Sequence, residues 1–282
     1  MSEIDLSKLP PPAVVQPLDY ENELSRLKSM VLVTLPELEE VLALESEPIT
    51  KVLELIAYEH VSMQSRINDA ARACMLAYAV KEDLEHLAAL LSVQRLNDET
   101  DERLRRRAQM ALEGETVAGS IASYVFHALS ASAQVKDASV DSPTPGTVRI
   151  TVLSTEGDGA PSVDLLGHVH TALSAEDVRP LSDTVEIVAA TIVPFAVRAT
   201  LNVYPGPAAS PLLLAAQQAL EAYVTEHKRL GHDITLSGLY ACLHQPGVQR
   251  VVLESPVTDI VIAPNEAAHC TGASITLGAI SV

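Results

Sequence analysis

Apolar side chains recur every three or four positions through roughly the first 130 residues. Beyond that they alternate or cluster as β-branched runs, so a helical part precedes a part that mixes strands with helices. The clearest helical run is SEPITKVLELIAYEHVSMQSRINDAARACMLAYAV, residues 46–80, where Pro48 suits a first turn behind Ser46 and Glu47. From there Ile49, Leu53, Ile56, His60, Met63, Ile67, Ala70, Cys74 and Ala77 alternate four- and three-residue steps, the a/d seam of a coiled coil. The pattern predicts one helix of ~31 residues, roughly 46 Å long. Residues 20–45 supply too little helix to cover the whole seam. Its tail at Ala70, Cys74 and Ala77, small enough for another backbone to approach, is expected to face another part of the helical half or a helix of a second subunit. His60 on this seam reads as a hydrogen-bonded core histidine.

Past residue 130, VKDASV, TVRITVLS, TVEIVAATIV, FAVRATLNV, VQRVVLE, TDIVIA and ASITLG read as strands. APSVDLLGHVHTAL and SPLLLAAQQALEAYVTEH read as helices, the second with Ser210 as cap and Pro211 in the first turn. This half repeats itself. Val148 aligns with Val197 and Ile187 with Leu236, both 49 apart, while Val135 aligns with Val248 and Pro143 with Pro256, both 113 apart. Two copies are too few for a solenoid. The predicted class is α+β: an N-terminal helical domain with a long coiled-coil-like helix, then two similar small helix-on-sheet α+β domains. The expected boundaries are an extended proline-rich arm over 1–19, a helical domain over 20–118, a first α+β domain over 119–191 and a second over 192–282 with the C-terminal strands.

LNDETDERLRRRAQMALEG, residues 96–114, sets four arginines within five positions of a chain with formal net charge −18. Asp98 or Asn97 can cap a helix, with Glu99, Asp101 and Glu102 in its first turn. Glu99–Arg103, Asp101–Arg105 and Glu102–Arg106 are spaced i,i+4 with the acid first, the better order. Leu104, Ala108, Ala111 and Leu112 form its apolar stripe and Gly114 its stop. The reading is a solvated face that satisfies its own charges, so that replacing Arg105 would cost less than ~1 kcal/mol. The alternatives are a salt-bridged contact with an acidic partner and, third, nucleic acid.

The start, MSEIDLSKLPPPAVVQPLD, has Pro10, Pro11 and Pro12 in a row, which hold an extended backbone without donors. It is either a frayed tail or an arm laid along a neighbour, since Ile4, Leu6, Leu9, Val14 and Val15 have little local core to join. Charge of −18 argues against duplex or anionic-membrane partners, and 3% aromatics without tryptophan argue against base stacking. No apolar stretch approaches the ~18 residues of a membrane span, and no basic region followed by an apolar run marks a signal peptide. Cys74, Cys242 and Cys270 are spread along the chain, which fits a reducing compartment and no disulfide framework. The expectation is a soluble protein made in the cytosol.

Candidate chemistry is thin. STEGDGAP, 154–161, lacks the calcium-loop spacing and its closing glutamate, and YPGPAAS fills the same place in the repeat without acids, so it reads as a turn. His168 and His170 are two apart on a helix and face different ways. Cys242 with His244 and His269 with Cys270 lack zinc-site spacing. Nucleophile-elbow, phosphate-loop and dinucleotide patterns are missing too. No catalytic residue, cofactor or metal is therefore expected, and the residues alone indicate a non-enzymatic assembly protein. A metal-dependent enzyme using Glu156–Asp158 or the Cys/His quartet, and a DNA-associated helical adaptor using Arg103–Arg107, are the competing classes.

Several segments carry a likeness. LSVQRLNDETDERLRRRAQMALEG, FHALSASAQVKDASVDSPTPGTVRITVLSTEGDG, AEDVRPLSD, YPGPAAS and RLGHDITLSGLYACLHQPGVQRVVLESP resemble the baseplate assembly protein J family of contractile-tailed phages, and the IDLSKLPPP start is similar to that family's N-terminus. The resemblance implies a virion component of the tail baseplate, made and assembled in the host bacterial cytoplasm, with the 20–118 domain as wedge core and no catalytic residues. It implies as partners a second copy in a different conformation, a second, smaller wedge protein, neighbouring wedges joined through a ring of J-like copies, and the central hub and spike, with neither nucleic acid nor membrane. Tailocins use the same part, and a prophage remnant would carry the same sequence. On this resemblance the surfaces expected to meet partners are Ala70, Cys74 and Ala77 on the seam, Arg103, Arg106 and Arg107 on the arginine helix, and Pro10, Pro11 and Pro12 on the arm.

Overall fold

A computed structural model of the chain describes residues 6–10, 12–116, 119–175, 178–180, 182–205 and 209–280. It is mixed α+β and resolves into two compact units, one drawn from residues up to 95 with 100–109, the other from 96–99 with 110 onward.

In the N-terminal unit α1 (Tyr20–Thr34) opens at Asp19, whose carboxylate accepts the Asn22 N–H at 2.9 Å. A 3₁₀ turn and the four-residue α2 (Glu39–Leu42) lead to α3 (Pro48–Ala73). Leu27, Leu42, Leu53 and Ala57 form the buried centre where these helices meet, with Leu24, Val31 and Ile49 around it. The α3 stripe turned inward is Thr50, Leu53, Ala57 and Asn68, with Val61 and Gln64 half-buried between them. Over its second half this lies one position beyond the expected seam. Ile56, His60, Met63, Ile67 and Ala70 are exposed instead, and His60 is not a core histidine.

The long helix is also shorter than its periodicity predicts, at 26 residues. Cys74 is its C-cap and Ala77 lies in the following turn. That turn is held from outside the helix. Met75 O takes the N–H groups of Tyr78 and Ala79. Arg105 of α5 (Asp101–Gly114) donates Nε to Leu76 O at 2.7 Å and Nη2 to Ala79 O at 2.6 Å. Carbonyls satisfied by a guanidinium no longer need a further helical turn. Between the two runs α4 (Lys81–Ala89) buries Leu84 and Ala88.

The second unit contains both α+β domains. The first runs α6 (Ile121–Ala131), β1 (Val135–Thr144), β2 (Thr147–Ser154), α7 (Val163–Leu173) and β3 (Thr184–Ala189). The second runs β4 (Thr191–Val203), α8 (Ala209–His227), α9 (Leu236–Leu243), β5 (Val248–Ser255) and β6 (Glu266–Ile280). The sheets are β1-β2-β3 and β5-β4-β6, each with an antiparallel strand on one side of the centre and a parallel strand on the other.

Their registers agree with the two sequence offsets. Val140 pairs with Ile150, and adding 113 and 49 gives Leu253 and Ala199, which also pair. Val135 opposite Ser154 becomes Val248 opposite Val203 by the same shifts. Thus α9–β5 corresponds to α6–β1 and β4–α8 to β2–α7, but the two halves occur in opposite order along the chain. The helix–strand halves are thus swapped in order, which is why the repeat needs two offsets, while the parallel third strand comes last in both domains, after α7 in one and after β5 in the other.

Three expectations fail locally. Ile187 lies in β3 whereas Leu236 begins α9, so that part of the alignment is not structural. TDIVIA is not a strand: Ile260 makes an isolated bridge with Ile234, and the Ile262 N–H donates to Asp233 Oδ1 at 2.7 Å. Its alternation is real, with Ile262 buried and Val261 exposed, but its hydrogen bonds go to a loop, and the last strand begins only at Glu266. Helix α8 begins at Ala209, so Ser210 sits inside it rather than capping it.

Each domain has its own core. Tyr124, Leu129, Ile150, Val152, Leu165 and Val169 centre the first; Val197, Leu201, Leu220, Ile234, Leu239 and Leu243 centre the second. Leu153, Ala190, Leu230 and Ala267 form a further cluster at the join. Beside it the Leu230 N–H donates to the buried Asp137 Oδ2 at 3.2 Å.

Candidate assembly surfaces

The arginine helix departs from expectation at its cap and at the Asp101–Arg105 pair. Asp98 has φ +59°, a left-handed conformation incompatible with the extended N-cap, and Thr100 Oγ1 takes the Arg103 N–H instead at 3.4 Å. Asp101 looks away from its own helix: Oδ2 accepts the Lys81 N–H that opens α4 at 2.9 Å, and Oδ1 accepts Arg95 Nη2 at 2.7 Å. These bonds, the Lys81 N–H foremost, hold its carboxyl below the usual range. Arg95 also reaches Glu85 at 2.5 Å.

Arg107 is buried and donates Nη1 and Nη2 to Gln94 O at 3.1 and 2.9 Å. Arg103 and Arg106 are half-buried. Leu104, Ala108 and Ala111 are buried as expected, whereas Leu112 is 76% exposed. The solvated-face reading is therefore corrected: Arg105 and Arg107 tie down backbone carbonyls of their own unit. The side chains that organise this region, Arg95 and Asp101 above all, bind partners at separations of 6, 10 and 20, outside the i,i+3 and i,i+4 spacing of a helix, so spacing rules could not find them.

The outer side of α3 carries a series of large apolar side chains. Val52, Leu55, Ile56, Met63 and Ile67 are 53%, 67%, 38%, 60% and 49% exposed. Val52, Ile56, Met63, Ile67 and Ala70 follow at four, seven, four and three positions, one side of a helix. Of the 25 large hydrophobic side chains exposed among the described residues, 16 lie between Leu9 and Leu90. An apolar stripe of this kind on one helix face is what a protein–protein contact covers.

The arm runs close to this face. The Asn68 side chain, buried on α3, accepts the Gln16 N–H at 3.0 Å and donates to Gln16 O at 2.8 Å. A groove of about 460 Å³ lies there, lined by Leu18, Glu23, His60, Met63, Gln64 and Ile67 among others. Glu23 takes Arg26 through both oxygens, at 2.8 and 2.6 Å, and His60 Nδ1 at 2.7 Å. Pro10 is exposed and Pro12 half-buried; Pro11 lies outside the described residues. Asn68 had a sequence signal, a polar residue on the inward stripe, which the seam one position away obscured.

The candidate chemical centres do not assemble. Among the described residues no group of three or more His, Cys, Asp or Glu side chains is placed to hold a metal, and no helix is long and apolar enough to cross a membrane. In the 154–161 loop Glu156 accepts from Gln134 Nε2 at 2.8 Å and Asp158 caps the Ala160 N–H at 3.0 Å. Gly157 O takes Lys228 Nζ at 2.9 Å. Gly159, at φ +112°, sits where a Cβ would press on Leu153. The loop is a turn that also joins the two α+β domains. His168 and His170 are both exposed. Burial pushes the Cys242 thiol up to about 11, which makes it a poor thiolate.

Comparison with known proteins follows this layout. Residues 45–99 match the Baseplate J-like N-terminal domain, 116–189 the Baseplate J-like central domain, and 195–276 the Baseplate J-like protein C-terminal domain. Baseplate protein J of Escherichia phage P2 is 43% identical over 298 aligned residues, covering 99% of each chain. A chain in the cryo-EM structure of the anti-feeding prophage (AFP) baseplate, 6-fold symmetrised, aligns with a TM-score of 0.45 and 17% identity, over 63% of this chain and 43% of that one.

Proposed function

Since this chain belongs to the baseplate J-like family, we propose that it is a structural wedge component of a contractile-tail baseplate, in a phage or a tailocin. Its place is the virion tail baseplate, and its work is assembly rather than catalysis. In this reading two copies in different conformations join a second, smaller wedge protein. The wedges surround the hub and spike, and their J-like copies connect into a ring. The proposed division of labour follows the expected boundaries, with 20–118 as wedge core, the 1–19 arm beside it, and the domains over 119–191 and 192–282 reaching neighbours.

The observation that carries the wedge-core assignment is the apolar α3 face, exposed from Val52 to Ala70 beside the arm. A partner helix laid along it would bury Ile56, Met63 and Ile67 with few ions to desolvate. Ala70 belongs to this face; Cys74 and Ala77, in the turn beyond it, are proposed as its edge. Arg103 and Arg106 remain candidates for a neighbouring acidic surface. The double substitution Met63→Glu with Ile67→Glu is expected to leave the chain's melting temperature unchanged while abolishing co-purification of the other wedge protein and assembly of particles. Normal yields of assembled baseplates carrying both substitutions would overturn the assignment.

A further inference from the structure

The two sheets expose four strand edges, and three are guarded. β1 carries Lys136, Asp137, Asp141 and Pro143, and Ser139 Oγ donates to Pro264 O at 2.7 Å across it. β3 is six residues long and holds Glu186, which accepts Arg149 Nε at 3.2 Å. β5 carries Arg250 and Glu254 and is followed by Pro256. Charges, prolines, short length and cover are what keep edges from adding a foreign strand.

β6 has fewer guards: its register with β4 slips between Cys270 and Gly272 and again between Leu277 and Ile280, but from Gly272 to Leu277 the pairing is regular. From Cys270 to Ile280 it reads CTGASITLGAI, with no charge and no proline. Its far side is engaged at the start, where the Gly231 N–H donates to Glu266 O at 3.0 Å and Leu230 bridges Ala267. From Cys270 onward no backbone hydrogen bond to another element leaves that side among the described residues. Residues 271–274, 276, 277 and 279 are exposed. A β-strand leaves half its N–H and C=O groups for the next strand, and among the described residues no further strand lies beside β6 to take them.

We propose that the Cys270–Ile280 edge is a self-pairing surface, on which β6 of a second copy adds antiparallel about a two-fold axis to give a continuous six-stranded sheet. The occupant follows from charge. Two copies of a chain at −18 repel one another over most of their surfaces. An uncharged strand laid antiparallel against itself brings no like charges together and sets Ser, Thr, Ile and Leu in cross-strand pairs. The β5 edge of another copy would instead bring Arg250, Glu254 and the adjoining Pro256 against it. Self-complementarity of this kind is what an isologous contact requires. The proposal deepens the reading of a J-like copy meeting a second copy, but it uses a different element from the α3 face.

The test compares the full chain with a Gly272→Lys, Ser274→Lys variant. A Cβ at Gly272 meets nothing within 4 Å, so the new side chains have room without refolding the strand. Sedimentation equilibrium of the unsubstituted chain is expected to show a reversible monomer–dimer equilibrium, with the dissociation constant at least ~10-fold higher in the variant at an unchanged melting temperature. Amide exchange over residues 272–280 should slow with increasing protein concentration in the first protein and not in the second. The Met63→Glu, Ile67→Glu protein should dimerise normally, which separates this contact from the wedge-core one. Exchange independent of concentration, or a variant that dimerises as tightly as its parent, would overturn the proposal. Protection that appears only when another baseplate protein is added would assign the edge to that protein's strand and equally overturn self-pairing.

Discussion

Glu23 gathers two side-chain partners on one carboxylate, and Arg26, through its side-chain hydrogen bonds, followed by His60, holds it at about 2, against the ordinary 4.5. The folded value is the depressed one, so the stabilisation is present in full above about 4.5 and is lost as the pH falls towards about 2. Glu23→Gln should lower the melting temperature at neutral pH, and the two proteins should converge as the pH approaches 2. The site is partly exposed, so the neutral-pH loss is expected to be modest, on the order of 1 kcal/mol or less. A difference that stays constant down to pH 2 would assign the effect to packing. Arg105 is expected to matter more than an exposed pair would, because its guanidinium satisfies Leu76 O and Ala79 O. Arg105→Met should cost about 1.5–3 kcal/mol in urea unfolding, the usual range for hydrogen bonds to a charged group. A loss near zero would restore the solvated face.

At the scale of elements, α3 serves two masters with two stripes. One, through Leu53, Ala57 and Asn68, faces its own unit; the other, through Ile56, Met63 and Ile67, faces outward. Heptad periodicity detects apolar faces but cannot assign them, because three- and four-residue steps slide between adjacent stripes within two turns. Asn68 links this helix to the arm. Replacing it with leucine removes both bonds to the Gln16 backbone, so limited proteolysis should cut within residues 9–18 markedly faster than in the parent chain. An unchanged cleavage rate would mean that the arm is held by other contacts.

For the whole molecule, the two α+β domains share a packed junction and carry cores of their own, so residues 110–282 are expected to fold without the remainder. A fragment of that span should melt cooperatively, with strand-rich far-ultraviolet circular dichroism; a molten or aggregated fragment would contradict the assignment of independent cores. No structural metal is expected to contribute to either unit, and EDTA should leave the melting temperature of the full chain unchanged. A fall of several degrees would require a site that neither spacing nor geometry indicates.

The sequence by itself determined the division into a helical part and two related α+β domains, nearly every strand, and, through the offsets 113 and 49, that the β1–β2 and β4–β5 pairings correspond, though not the register of either. Those features depend on local periodicity and on duplication, both written in the order of residues. Tertiary structure alone decided where α3 stops, which of its stripes is inward and what the arginines hold. Each of those depends on a partner many positions away: Arg105 on Leu76 and Ala79, Asp101 on Lys81, Asn68 on Gln16. It also decided that 258–263, alternating like any strand, has no neighbouring strand to join. Alternation states only which side chains are buried; a strand exists only where another backbone lies alongside to take its hydrogen bonds.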